Sequence, residues 1–414
     1  MAHTLMDQVI RPKPEKLQSE YGASNGKCKW DGNQSKGFDQ NPAKRHEHFR
    51  GNNEGRSPNP NYKVCAETVN NNNRSGPSPW QSNSPNDIID ELVAAGWPSW
   101  LAAVSGEAIK GWLPLRANTF KKLNKIEEGS CSVVYKARHI PTRKEVVLKK
   151  VRFDSSDSES AKVIAMEIAV LRLLDHPNVI KLEGIVTSRM SNSLYLVFDY
   201  MDHDLATFSS KLDTHLTEPQ IKHYMHQLIS GLKHCHTNGV LHRDIKGSDL
   251  LVDSNGVLKI ADFGSASFFD LIPEHPVSYH VATFWYRAPE LLLGSTEYGV
   301  SVDLWSAGCI LAGLLAKRPI LDGHTQAEQL QKIYAICGTP PDDYWERYKL
   351  PLKSSYKPSI QSNKCITETF RDFPPSSLSL LNILLSIDPA KRRSAASALT
   401  SAFLRDACQG NESQ

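Results

Sequence analysis

The sequence predicts an α+β chain of two lobes, a small β-rich lobe followed by a large, mainly helical one. Three observations predict it. From Phe120, "FKKLNKIEEGSCSVVYKARHIPTRKEVVLKKVRF" alternates β-branched and Tyr positions with turn residues, which reads as strands joined by short loops. "SESAKVIAMEIAVLRLLDH" carries Ile164, Ile168, Leu171 and Leu174 at helical spacing and stops before Pro177, and "LYLVFDY" reads as a buried strand. After Asp202, helical patterns dominate to the end. The lobes are placed at 120–201 and 202–404, with a tail over 405–414.

Upstream of Phe120 the composition divides in two. Residues 1–85 are rich in Asn, Gly, Ser, Pro and Lys, and "GNNEGRSPNPNYK" cannot bury enough apolar surface to offset chain entropy, so this part is expected to be disordered. Residues 86–119 are different. Ile88, Leu92 and Val93 have helical spacing, Gly96 is a natural C-cap, and Pro98 and Ser99 open a second helix to about Lys110. Trp97, Trp100 and Trp112 make the segment too apolar for a linker. It either packs on the domain that follows or forms a partner-binding hairpin.

Composition bounds the function class. Hydrophobic content of 40% and charged content of 22% are ordinary for a globular protein. A net charge of +3 is too small to argue for nucleic acid or an anionic membrane, and no apolar run approaches a spanning helix. The eight cysteines are scattered without a C-x-x-C pair, which argues against zinc and a disulfide framework and for a reducing compartment.

Phosphoryl transfer asks a protein mainly for positioning and for charge balance around a nucleotide and its metal. The parts appear here in order. Lys149 ends the strand "EVVLK", where an ammonium can reach phosphates, and Glu167 on the following helix is its expected ion-pair partner. Asp244 in "HRDIK" is placed to accept a hydroxyl proton, and Asp262 in "ADFG" to hold a metal. Each alone is a weak signal; "HRDIK…ADFG…APE" in this order is a strong one.

On these motifs, residues 120–404 resemble a eukaryotic Ser/Thr protein kinase domain, with its bilobal fold. "TFWYRAPELLLG" and "VDLWSAGCI" resemble the cyclin-dependent kinase group, and "GWPSWLAAVSGEAIKGW" resembles a plant branch of cyclin-dependent-kinase-related proteins. The resemblance implies ATP and Mg²⁺ as cofactors, protein Ser/Thr substrates, and a cyclin-like activator contacting "SESAKVIAMEI". It implies Lys246 as a contact to the transferred phosphate. Nucleotide contacts are implied at Ile126, Gly129, Val134, Val147, Lys149, Leu251, the hinge residues Asp199 and Met201 behind the gatekeeper Phe198, and Asp204 at the ribose. Glu290 is expected to pair with Arg392, Asp303 to brace the catalytic loop, and Arg287 to accompany a preference for Pro after the phosphorylated residue. The branch is predicted to be myristoylated after an initial Met-Gly-Cys; residue 2 here is Ala, so no membrane anchor is expected and the nucleus or cytoplasm is the default.

The chain also departs from the pattern. The glycine-rich loop reads "EEGSCS", with Glu127 in place of a glycine. Two unit charges about 8 Å apart at an effective dielectric of about 20 repel by roughly 2 kcal/mol. Asp249 stands where asparagine binds the second metal; its carboxylate still ligates a metal but cannot donate a hydrogen bond toward Asp244. Ser278 occupies the position of the activating phosphothreonine, yet of three expected arginines only Arg243 is present, Met166 and Ser267 replacing the others. Two functions follow: a Ser/Thr kinase with slowed chemistry, or a pseudokinase serving as a nucleotide-binding scaffold or competitor.

Overall fold

The computed structural model describes residues 85–128, 132–152, 158–188, 193–210, 215–269 and 284–405. The expectations for residues 1–84, Gly129, Ser278 and the end of the tail fall outside these residues, as does the side chain of Glu127.

Helices α1 (Pro85–Ala94) and α2 (Ser99–Ile109) form a hairpin ahead of the first lobe. Gly96, at φ 104°, adopts the left-handed conformation that a glycine after a helix end takes without a Cβ penalty, and Trp97 N–H returns to Leu92 O at 3.0 Å. The chain then forms β1 (Leu115–Arg116), too short to show any sequence period, which pairs parallel with Val186 and Thr187.

The small lobe is a six-stranded sheet in the order β1-β5-β6-β4-β3-β2. Its other strands are β2 (Phe120–Glu128), β3 (Ser132–His139), β4 (Glu145–Val151), β5 (Leu182–Ser188) and β6 (Ser193–Asp199). Apart from β1, neighbours pair antiparallel. In β3, β4 and β6 nearly every residue is buried or half-buried, because β-branched and aliphatic residues occupy both faces. Helix α3 (Ser158–Leu173) covers the inner face through Ile164, Ile168 and Leu171. Its helical spacing, read from the sequence, is the one observed.

The chain enters the second lobe through β7 (His203–Asp204) and α4 (Leu205–Ser210). Helix α5 (Glu218–Thr237) starts at a capping box in which Thr217 N–H donates to Gln220 Oε1 at 2.9 Å. Short strands β8 (Val240–Leu241), β9 (Leu250–Val252), β10 (Leu258–Ile260) and β11 (Ser267–Phe268) carry the loops between them toward the interlobe cleft. After α6 (Pro289–Leu292), helix α7 (Ser301–Ala316) is buried from Val302 through Ala312, as its apolar residues on every face require. Helix α8 (Gln326–Cys337) and shorter helices complete the lobe to Arg405. One apolar core runs from α3 and β6 into α5 and α7, so the elements on both sides of the cleft share packing.

Candidate active site

Lys149 lies in β4 between Val134 of β3 and Leu196 of β6, and only 1% of it is exposed. A lone buried ammonium is costly, so it needs partners. Its Nζ forms an ion pair with Glu167 Oε1 of α3 and lies 3.7 Å from Asp262 Oδ1. Burial pushes the Glu167 carboxyl above its ordinary range, against the pull of Lys149. Burial pushes Asp262 the same way, but Lys149, Lys246, His242 and the Gly264 N–H outweigh it and hold that carboxyl below the usual range. The site thus keeps an ionised Asp262 beside two ammonium groups.

Asp262 has φ 58° and ψ 70°, a left-handed conformation uncommon outside glycine. The surroundings fix it. Phe263 is buried with its ring 4.8 Å from that of His242, and a His242 ring nitrogen lies 2.9 Å from Ala261 O. The catalytic loop is held from below by Asp303 of α7. Its Oδ2 accepts from His242 N–H at 3.1 Å and faces His236 Nε2 at 2.9 Å, while Oδ1 accepts from Arg243 N–H at 2.8 Å. Burial pushes the Asp303 carboxyl up, but these hydrogen bonds and the charges of His236 and His242 leave it below its ordinary range. Arg243, itself at φ 70°, donates to Ser265 O at 2.6 Å and to Tyr298 OH at 3.1 Å.

Asp244 stands half-buried at the loop's tip. Lys246 Nζ lies 3.2 Å from its Oδ2 and 3.2 Å from Oδ2 of the fully buried Asp249. The backbone O of Asp249 also accepts from Ala261 N–H at 2.8 Å, which binds the loop to the turn that carries Asp262.

Six of the side chains expected at the nucleotide pack in one core cluster. Val134, Val147, Phe198, Met201 and Leu251 are all buried in the core that crosses the cleft, and Ile126 packs half-buried against it. The carboxylate of Asp199 faces Lys144 Nζ at 2.5 Å. Asp204 is fully buried. Its Oδ1 accepts from Thr207 N–H at 2.8 Å at the start of α4, and its Oδ2 has no hydrogen-bond partner among the described residues. Away from the cleft, Arg392 donates to Glu290 Oε1 and Oε2 at 2.6 and 2.9 Å, a bidentate pair buried beneath α6.

The carboxylates fit a hard divalent cation. Asp262 Oδ1 is buried without a hydrogen-bond partner among the described residues, and the oxygen-only chemistry of Asp262 and Asp249 is what such an ion takes. Among the described residues no cluster of three or more His, Cys, Asp or Glu could hold a metal, so the remaining coordination would come from nucleotide oxygens and water.

Sequence reasoning missed His236, Tyr298 and Arg172. His236 and Asp303 are 67 residues apart, Arg243 and Tyr298 55 apart, and neither pair belongs to a contiguous motif. Only the fold brings them together.

The lysine that bridges the two lobes' carboxylates and the aspartate–lysine pair on the braced loop lie within a segment that the comparisons match to a known family. Residues 120–404 match the protein kinase domain family. The chain is 59% identical over 327 residues to an Arabidopsis thaliana protein named "Probable serine/threonine-protein kinase", covering 79% of this chain and 57% of that relative. It is 52% identical over 321 residues to "Cyclin-dependent kinase C-2 C" of the same plant, covering 78% and 50% respectively. It is 44% identical over 308 residues to "Cyclin-dependent kinase C-1" of Oryza sativa subsp. japonica, covering 70% and 59%. The match thus spans about half the length of these relatives. With the family matched across its whole second part and the catalytic constellation assembled, the chain belongs to the protein kinase family, among relatives named Ser/Thr kinases and plant cyclin-dependent kinases C.

Proposed function

We propose that this chain transfers the terminal phosphoryl group of ATP to Ser or Thr of protein substrates, preferring a following Pro, at a rate held down by Asp249. The observation that carries the reading is Lys149, paired with Glu167 and 3.7 Å from Asp262, in the same cleft as an Asp244–Lys246 pair at 3.2 Å. The pseudokinase alternative gains no support, since these five side chains are assembled rather than dispersed.

In this reading Lys149, fixed by Glu167, neutralises and orients nucleotide phosphates. Asp244 accepts the hydrogen of the incoming hydroxyl, and Lys246 stabilises charge on the transferred group. Asp262 and Asp249 would hold the divalent ion, with Mg²⁺ the expected one, and it would supply charge neutralisation on the phosphate oxygens. Asp249 slows the reaction because its carboxylate shares the ammonium of Lys246 with Asp244 and offers no hydrogen to donate. Arg287, nearly buried and 6.0 Å from the Phe284 ring, stands in the segment expected to receive the residue after the phosphorylated one. Relatives named cyclin-dependent kinases support a cyclin-like activator as partner.

The test is radiolabelled phosphate transfer from ATP with Mg²⁺ to matched peptides bearing Ser-Pro or Ser-Ala. Transfer above an Asp244→Asn control, favouring Ser-Pro, is expected. Transfer no greater than that control would remove the phosphotransferase reading.

A further inference from the structure

The geometry points to the Trp-rich hairpin of residues 85–116 as a built-in clamp on α3, with Arg172 as a positioning residue that holds Glu167 toward Lys149. The proposal rests on the phosphotransferase reading only for its kinetic readout.

Helix α2 packs along α3, and Trp97, Leu101 and Ile109 are buried in the same core cluster as Ile168 and Leu171. Arg172, in the last turn of α3, reaches across to the end of α2. Its Nη1 donates to Ala108 O and, at 3.1 Å, to Lys110 O. The carbonyls of a helix's last turn lack intrahelical partners and carry the negative end of its dipole, so a guanidinium there satisfies both needs. The Trp112 ring stacks with its centroid 4.5 Å from the guanidinium carbon, and Trp112 O in turn accepts from Trp97 Nε1 at 3.0 Å. The hairpin is therefore closed on itself and on Arg172 by one continuous set of contacts.

A second anchor ties the same segment to the sheet. Leu115 of β1 sits over Gly184 of β5, where an added Cβ would lie 2.4 Å from Leu115 Cδ1. Any larger residue there would force the Leu115 side chain to shift.

This arrangement bears on catalysis through helix geometry. Residues 167 and 172 are five apart, about 140° around an α-helix. Arg172 is thus held on a face of α3 well away from the one that carries Glu167. Pinning the outer face limits rotation and outward swing of the inner one. On its other side α3 packs against the turn at Phe263–Ser265 and against β11, with Met166, beside Glu167, an apolar side chain packed on the core and Arg243 engaged with Ser265 O and Tyr298 OH. At this point α3 offers no cation to a phosphate on the activation segment. The hairpin supplies the polar tether on the outer face, where Arg172 sits.

The experiment is hydrogen–deuterium exchange on the full chain, resolved to peptides covering residues 160–174, with steady-state phosphate transfer alongside. In Arg172→Gln, α3 amides are expected to exchange at least about tenfold faster while α7 keeps its wild-type rate. The kcat is expected to fall at least about fivefold with the peptide KM unchanged. Arg172→Lys, which keeps a cation near the two carbonyls, should recover most of the protection. If Arg172→Gln does not fold, Trp112→Phe decides by the same exchange comparison. Wild-type exchange of α3 in the variant, or acceleration shared equally by both lobes, would overturn the clamp. A wild type that transfers no phosphate but whose variant loosens α3 would count against the phosphotransferase reading alone.

Discussion

Asp249, fully buried, holds its Oδ2 3.2 Å from the ammonium of Lys246. The same ammonium stands 3.2 Å from Asp244, so one cation serves two carboxylates. In Asp249→Asn the competing charge is gone, an amide donor appears, and Lys246 is left to Asp244 and the substrate. Its kcat is expected to rise about tenfold, equivalent to about 1.4 kcal/mol of barrier. Steady-state kinetics over a range of Mg²⁺ concentrations would check it. A lower kcat would show that this carboxylate is needed as a metal ligand, and an unchanged one that it does not hold the rate down.

The Glu290–Arg392 pair anchors α6 to the end of the lobe. Arg392 is fully buried, donates to both carboxylate oxygens as well as to Ser386 O at 2.7 Å and Ile387 O at 3.0 Å, and lies over the Trp305 ring at 4.9 Å. Removing one charge leaves the other buried without its counterion, a loss of about 3–5 kcal/mol. Glu290→Gln should therefore lower Tm by roughly 10 °C, given about 2–4 °C per kcal/mol for a domain of this size. Calorimetry would check this, and a shift of under about 2 °C would mean that the backbone acceptors hold Arg392 by themselves.

Asp303 gives a pH dependence with a definite sign. Burial opposes its ionisation, but the His236 hydrogen bond, the charges of His236 and His242 and the Arg243 N–H leave its carboxyl depressed. A depressed carboxyl contributes stability that is fully present above its unfolded value, about pH 4, and is lost as pH falls through the folded value. The Tm difference between wild type and Asp303→Asn should therefore be largest near neutrality and shrink below about pH 4. A difference that stays constant down to pH 3 would show that geometry, not charge, is what Asp303 supplies to the catalytic loop. Glu167, whose carboxyl is raised mainly by burial, has the opposite sign: its ionisation costs stability as pH rises above the unfolded value, and it does not enter this comparison because both variants carry it.

The lobes were legible because their periods differ. Val146 to Leu148 in β4 are fully apolar and paired on both sides, whereas Ile164, Ile168 and Leu171 in α3 recur at helical spacing, and both patterns survive in the fold. The candidate site residues Asp244, Lys246 and Asp262 could be singled out because they lie in short contiguous motifs. What escaped were contacts that link distant segments through single side chains. Arg172 looks like one more basic residue at a helix end until α2 places the carbonyls of Ala108 and Lys110 beside it, 64 and 62 residues earlier. Gly184 looks like a weak point in a strand until Leu115 occupies the space above it. Neither contact has a local period, and β1 is two residues long. Asp204, which the resemblance assigns to a ribose, has its Oδ1 engaged by Thr207 N–H and its Oδ2 without a hydrogen-bond partner among the described residues, a division that no local pattern shows.

The thiols test the packing of the second lobe without reference to catalysis. Cys235, Cys309 and Cys337 are buried, and burial pushes all three thiols up, Cys337 to about 12. The thiolate is the reacting species, so at pH 8 a group with pKa about 12 is ionised in roughly one molecule in 10⁴, against about a quarter for an ordinary thiol. Cys365 is only half-buried, with its Sγ 3.0 Å from Ala335 O at the edge of α8. Timed alkylation mapped by mass spectrometry should label Cys365 within minutes and leave the other three unlabelled until denaturant unfolds the lobe, a rate ratio of at least about 10². Because Cys309 lies in α7 and Cys337 at the end of α8, early labelling of Cys337 alone would locate a loose α8, while joint labelling of Cys235 and Cys309 would mean that the α5–α7 core opens as a unit.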